Sequence, residues 1–340
     1  MGIVFRFLCL VSLCFMLSCS ATVERPGKIN GVSYVASRDS IDQQHVDPVI
    51  NLGANYAAIM PFGFIKDLAH PEITFNSDRQ WFGETEKGVK QYVQLVHNNQ
   101  IKVMLKPQIW VWRGEFTGFI KMTHEADWKL LENSYSDFIL AYAKVAQEAN
   151  VEMFCIGTEL ENFIDERPSY WKQLIVDIRE IYKGKLTYAA NWNEYERTPF
   201  WDDLDYIGID AYFPVDSKQS PTLEDTKKAW RKYKSVMKTY SIKHKKPILF
   251  TEFGYRSIDF AGRAPWTVDR VDKQVNLEAQ AILTQALFEE LWDEDWFAGG
   301  FVWKWFHKHN AVGGRDDNRF TPQNKPAEEV IRTFYKKYKL

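Results

Sequence analysis

The chain has 340 residues, with 43 basic and 45 acidic side chains for a formal charge of −2; no basic stripe interrupts this balance, which excludes nucleic acid as a partner. Apolar residues make up 45%, enough to fill a core, so extended disorder is excluded as well. The 13 Trp exceed what a core needs and point to a ligand surface.

The first element in chain order is a targeting segment. Arg6 supplies a positive start and residues 7–17 are apolar. That run is shorter than the roughly 20 residues that span a bilayer, but it suits a signal peptide. It ends in Met16-Leu17-Ser18-Cys19, which resembles a bacterial lipoprotein cleavage box. The expectation is a signal peptide over 1–18, a linker over 19–28 lipidated on Cys19, and a folded domain over 29–340. The alternative is an ordinary secretory signal cut nearby. The protein is then exported and held at the cell envelope, meeting the membrane through its lipid anchor alone. Cys9 and Cys14 fall inside the signal, so Cys155 is left without a disulfide partner. It reads as a small buried filler rather than a catalytic thiol.

Beyond the linker, strand-like and helix-like patterns alternate. Short runs rich in Val, Ile and aromatics predict strands over 31–35, 56–60, 102–107, 151–157, 186–190, 206–211, 248–251 and 300–305. Apolar residues at spacings of three and four predict helices over 86–99, 128–149, 170–182, 223–240, 275–292 and 327–338, with a short one over 47–52. Eight strands with interposed helices and no composition break make one α/β domain, a single (β/α)8 TIM barrel with extended βα loops. A doubly wound open sheet is disfavoured because no Gly-x-Gly-x-x-Gly follows the first strand. The longest loops, 61–85, 108–127 and 253–273, all follow strands and so gather at one mouth.

Residues at the strand ends share that mouth. Phe62, Phe64, Trp110, Trp112, Trp192, Tyr212, Phe213, Tyr255, Trp303 and Trp305 form an aromatic group. Core packing accounts for any one of them; their shared position marks a binding face. Flat rings pack against the C–H faces of sugars, and Lys106, Gln108, Asn191, Asn193 and Asp210 are placed to take hydroxyls. Glu159 and Glu252 each close an apolar strand, where a carboxylate is costly unless something uses it. By strand alternation Glu159 shares a face with Cys155 and Gly157, and Glu252 with Ile248 and Phe250, so both are expected to point to the barrel axis. Two facing carboxyls suit glycosidic cleavage: a gap of about 5–5.5 Å predicts retention and about 6.5–9.5 Å inversion. Glu161 reads as a loop group, and Asp210 as holding the Tyr212 loop or a sugar hydroxyl.

Gly157-Thr-Glu159-Leu-Glu-Asn162, Tyr206-Ile-Gly-Ile-Asp-Ala-Tyr212-Phe-Pro214, Thr251-Glu252-Phe-Gly-Tyr-Arg-Ser257 and Gly299-Gly-Phe-Val-Trp303-Lys-Trp305 together resemble glycoside hydrolase family 113. The resemblance runs from about Ile29 to the carboxyl end. It implies a retaining endo-β-1,4-mannanase, with Glu159 as acid/base, Glu252 as nucleophile, Tyr212 hydrogen-bonded to the nucleophile and Trp303 as the floor under the sugar. Lys106, Trp110, Asn191, Trp192, Asp210, Tyr212 and Trp303 are the expected substrate-binding residues. The wider clan has Asn before the acid and Arg after the second strand. Here Thr158 and Met60-Pro61-Phe62 stand instead, leaving Lys106 or Arg256 to steady Glu252.

No His-Glu-x-x-His, calcium loop or Gly-x-Ser-x-Gly elbow is present, so neither a metal nor a cofactor is expected, and His307 with His309 reads as a solvated or sugar-contacting pair. The run 243–246 reads as a turn on the far side from the mouth. Two alternatives stay open: the same chemistry on another β-glycan or in exo mode, and a surface lipoprotein that binds glycans without cutting them. Sugar, linkage, number of subsites, membrane leaflet and oligomeric state depend on features that patterns do not carry.

Overall fold

A computed structural model describes residues 27–267 and 274–338; the expected signal peptide and Cys19 lie outside the described residues. In chain order the strands are β1 (Ile29–Tyr34), β2 (Tyr56–Ile59), β3 (Phe62–Ile65), β4 (Lys102–Leu105), β5 (Gln108–Val111), β6 (Met153–Thr158), β7 (Lys185–Asn191), β8 (Ile207–Asp210), β9 (Ile248–Phe253) and β10 (Phe297–Trp305). The helices are α1 (Gln43–Leu52), α2 (Glu86–Asn98), α3 (Glu125–Glu148), α4 (Glu161–Glu166), α5 (Pro168–Ile181), α6 (Leu223–His244), α7 (Leu277–Leu291) and α8 (Pro326–Lys337).

Eight strands close a barrel in the order β1-β10-β9-β8-β7-β6-β4-β2, every neighbouring pair parallel. The expected (β/α)8 barrel is therefore the fold. Each predicted strand occurs within a few residues of its expected limits. One departure is the stretch between β7 and β8, which holds only a 3-10 turn at Trp201–Asp203 in place of a regular helix. Helix starts follow local chemistry: the side chains of Thr85, Thr222 and Asn276 accept the N–H of Gly88, Asp225 and Ala279. No helix among the described residues is long and apolar enough to cross a membrane.

A second sheet was not foreseen. β3 and β5 pair in parallel, Phe62 opposite Gln108 and Phe64 opposite Trp110. Each follows a barrel strand after one proline, Pro61 or Pro107, which supplies no N–H for a ladder. The bend lifts both strands above the barrel, where the Gln108 N–H still reaches the Pro61 carbonyl at 2.9 Å.

Two cores result. The larger lies between barrel and helices and includes Ile248, Phe250, Tyr188 and Trp292. The smaller fills the barrel with Ile29, Ala58, Met104, Met153, Cys155, Ala189, Leu249 and Phe301, as expected of inward layers in this architecture. β8 contributes Gly208 there, because a Cβ would stand 2.1 Å from the Tyr188 carbonyl oxygen and 2.5 Å from Thr187 Oγ1.

These cores correct the alternation expected for the two glutamates. Ile248 and Phe250 belong to the outer core, so simple period-2 counting would turn Glu252 outward. An extra residue in β9 changes this: Ile209 and Asp210 are consecutive in β8, yet they face Phe250 and Glu252. Thr251 and Glu252 consequently both reach the interior polar group. β6 carries a matching irregularity, with Cys155 opposite Thr187 but Thr158 opposite Ala189. A Cβ on Gly157 would meet Tyr135, Trp171 and Tyr188 of the outer layer, so Gly157 does not share the face of Cys155. Bulges at strand ends re-aim side chains in this way.

Candidate active site

The carboxyl-terminal ends of the barrel strands bring a buried polar cluster together. Lys106 follows β4, Gln108 opens β5, Asp210 ends β8 and Glu252 lies in β9. Lys106 Nζ donates to Glu252 Oε1 at 2.6 Å and to the two Asp210 oxygens at 3.1 and 3.3 Å. Gln108 Nε2 adds a second donor to Glu252 Oε1 at 3.0 Å, and the Tyr212 hydroxyl donates to Oε2 at 2.7 Å. Thr251 Oγ1 completes the Asp210 shell at 2.7 Å. Glu252 thus has three donors fixing both oxygens. Burial works against the Lys106 ammonium, but Asp210 and Glu252 outweigh it and hold its proton more tightly than usual.

This arrangement settles which cation steadies Glu252. It is Lys106; Arg256 is buried with its Nε donating to the Asn318 carbonyl. It also corrects the expectation that Lys106 and Asp210 meet sugar hydroxyls. Both are fully buried, and their polar atoms are spent on each other and on Glu252.

Glu159 follows β6 in a different environment. It is half-buried, and no side-chain hydrogen bond or ion pair to its carboxyl occurs among the described residues. Its φ of +50 places a non-glycine residue in the left-handed region, a costly conformation typical of functional positions. Burial pushes its carboxyl well above the ordinary range; the charges of Asp210 and Glu252 push it further, Lys106 opposes them, and Glu194 adds a smaller rise. Three donors fix one carboxyl, and burial raises the proton affinity of the other.

Around them stand the aromatics. Trp303 is half-buried in β10, and Gly254 lets its backbone approach: a Cβ there would lie 2.5 Å from the Trp303 carbonyl oxygen. Trp110 is 44% exposed and meets Phe62 edge-on at 6.3 Å. Trp192 stacks on Trp266, 43% exposed, at 5.2 Å. Asn191 ends β7 with its side-chain oxygen buried and unpartnered among the described residues, an open acceptor. Phe213, Tyr255 and Trp305 are not part of this face; all three are buried in the outer core. Glu161 pairs with Arg197 at 2.5 Å, and it opens α4 where a loop was expected.

Two participants escaped pattern reading. Trp266 lies in a long loop with no strand to place it. Lys304 follows Trp303 in a strand expected to alternate, and its ammonium sits 5.4 Å from the Trp303 ring. Burial lowers its proton affinity, the charge of Glu252 pulls it back up, and Arg319 lowers it further. Cys155 is buried, its thiol pushed up to about 11 by burial, so it stays an unreactive filler. His309 pairs with Glu328 at 3.3 Å, and among the described residues no three His, Cys, Asp or Glu side chains group as a metal site.

The profile of glycoside hydrolase family 113 matches residues 36–325. Among solved structures, the chain is similar to a family-113 β-mannanase of Alicyclobacillus acidocaldarius, in complex with ManMIm, with a TM-score of 0.80 and 27% identity over 92% of this chain and 98% of the other. A family-113 β-1,4-mannanase solved as a complex aligns at TM-score 0.77 and 21% identity, covering 92% of this chain and 99% of its own. The β-glucuronidase of Faecalibacterium prausnitzii shares the barrel at TM-score 0.62 and 14% identity, with 92% of this chain against 49% of that one. No curated protein matches the chain.

Proposed function

The chain belongs to glycoside hydrolase family 113, and from that membership we propose that this glycoside hydrolase cleaves β-1,4-mannosidic linkages in mannan or manno-oligosaccharides with retention of anomeric configuration. The observation that carries the reading is the opposed environment of the two carboxyls: three donors on Glu252, and burial with like charge around Glu159. Glu252 attacks the anomeric carbon and forms a glycosyl ester while Glu159 gives its proton to the departing oxygen. Glu159, now ionised, takes a proton from water, whose oxygen displaces Glu252 and restores both groups. Tyr212, Gln108 and Lys106 hold the nucleophile in line. Trp303 supports the reacting sugar, Trp110 and Trp192 support neighbouring units, and Asn191 accepts a hydroxyl.

The substrate follows the activity of the similar structures, which are β-mannanases. Incubation with mannohexaose, following product lengths and anomeric form by NMR, tests the reading. Internal cleavage giving β-configured products is the expected result. Products of inverted configuration would overturn double displacement, and release of mannose alone would overturn endo action.

Export as a lipoprotein belongs to the same proposal. It is supported by the apolar run 7–17 and by Met16-Leu17-Ser18-Cys19. Mass spectrometry of the mature amino terminus is expected to find acylated Cys19, and Cys19→Ser to release the protein from membranes. A mature chain that starts elsewhere without lipid would refute the anchor.

A further inference from the structure

We propose that Glu194, acting through Tyr188, is the positioning residue of Glu159: it clamps the turn that presents the acid. The inference rests on the reading of Glu159 as the acid/base.

The geometry is a directed hydrogen-bond chain. The Leu160 N–H donates to the Tyr188 hydroxyl oxygen at 2.6 Å, and that hydroxyl donates to Glu194 Oε1 at 2.9 Å. The Asn191 N–H donates to Glu194 Oε2, also at 2.9 Å. Leu160 is the residue directly after the left-handed Glu159, so the chain grips the peptide that follows the acid. The peptide before it is gripped too, because the Glu159 N–H donates to the Ala189 carbonyl at 2.8 Å. The Thr117 hydroxyl donates to the Glu159 carbonyl at 3.1 Å. A backbone conformation that L-residues avoid persists only where its surroundings over-determine it. Here β7 and the turn after it supply most of that constraint.

A carboxyl offers the clamp two oxygens, one accepting from the Tyr188 hydroxyl and one from the Asn191 N–H. Glu194 is 2% exposed and has no ion pair among the described residues. Burial pushes it up to about 8; the Asn191 N–H and Tyr188 hydroxyl draw it down, the nearby Glu161 raises it, and Arg197 lowers it. Glu161 and Arg197 are themselves paired, so neither neutralises Glu194 directly. An unpaired buried acid is costly and marks a functional position when it faces another titratable group. The groups facing Glu159 are Asp210, Glu252, Lys106 and Glu194. Of these, Glu194 alone lies outside the Lys106 cluster, on the β7 side.

The test uses Glu194→Gln and Tyr188→Phe in the full chain. In Glu194→Gln one of the two donors meets an amide NH2, so the turn loosens, Glu159 gains solvent and its burial-raised proton affinity falls; the alkaline limb of kcat/KM is expected to move to lower pH. Turnover of mannohexaose is expected to fall about 10-fold or more, while an aryl β-mannoside with a good leaving group, which needs little protonation, loses far less. Tyr188→Phe is expected to show the same split between substrates. Superimposable pH profiles, or equal losses on both substrates, would overturn the proposal. A second measurement needs no substrate: a double-mutant cycle of unfolding free energies with Glu159→Gln and Glu194→Gln, across the pH range in which these carboxyls titrate. Non-additivity is expected; additive effects at every pH would refute the coupling. Should the parent chain leave β-mannosides intact while the cycle shows coupling, the substrate assignment fails and the positioning role stands.

Discussion

Lys106 Nζ lies 2.6 Å from Glu252 Oε1, a buried ammonium holding a buried carboxyl, one of the two pairings that the sequence left open. The same nitrogen holds Asp210, so one ammonium serves two carboxyls. Burial first, and then the nearby Asp210 and Glu252, raise the proton affinity of Glu159, the further carboxyl beside this cluster.

Replacing Lys106 with Met leaves Asp210 and Glu252 buried without their counter-charge. Breaking such a group by removing one partner costs about 3–5 kcal/mol. Lys106→Met is expected to lower unfolding stability by that order in urea titration, and to abolish most activity. Lys106→Met/Asp210→Asn is expected to recover part of the stability.

Glu252→Ala removes the nucleophile. Turnover on manno-oligosaccharides is expected to fall by at least about 10³-fold with the far-UV circular dichroism unchanged. Residual activity near the parent level would exclude Glu252 from the reaction.

Tyr212→Phe removes the donor to Glu252 Oε2 and little else. A hydrogen bond to a charged group contributes about 1.5–3 kcal/mol, so kcat is expected to drop roughly 10- to 100-fold with KM little changed. Steady-state kinetics on a manno-oligosaccharide series measure it.

The acid carries a pH signature in both rate and stability. Its protonated form is the active one, so kcat/KM falls as pH rises through the elevated proton affinity of Glu159. Glu159→Gln is expected to cut mannan turnover about 10²- to 10⁴-fold and to erase that limb. For stability, the folded state holds a proton that the unfolded chain releases near the ordinary carboxyl value. Stability therefore declines as pH rises from that value toward the folded one. Glu159→Gln removes this decline, and thermal unfolding at several pH values reads the difference.

Much of this fold was legible because barrel strands buried on both faces give short runs of Val, Ile and aromatic residues bounded by turn formers. The runs around Met104, Phe154 and Ile209 behave so. Both carboxyls, Tyr212 and Trp303 were legible because they close such runs. What alternation could not reveal was orientation. Counting by twos assigns Glu252 to the face of Phe250, yet one extra residue in β9 sends it the other way. β3 and β5 were hidden for a related reason: each is only four residues long and sits behind a proline that reads as a stop. Glu194 and Tyr188 carried no signal, since their importance comes from an amide in another strand's loop.

The two bulges make catalytic competence depend on residue count as well as residue identity. Deleting a single position from either would keep every side chain of the list and swing one carboxyl into the greasy layer beneath the helices. Scaffold and chemistry are therefore separable here: the regular rhythm of the staves builds the cylinder, and the reactive groups stand where that rhythm skips a beat.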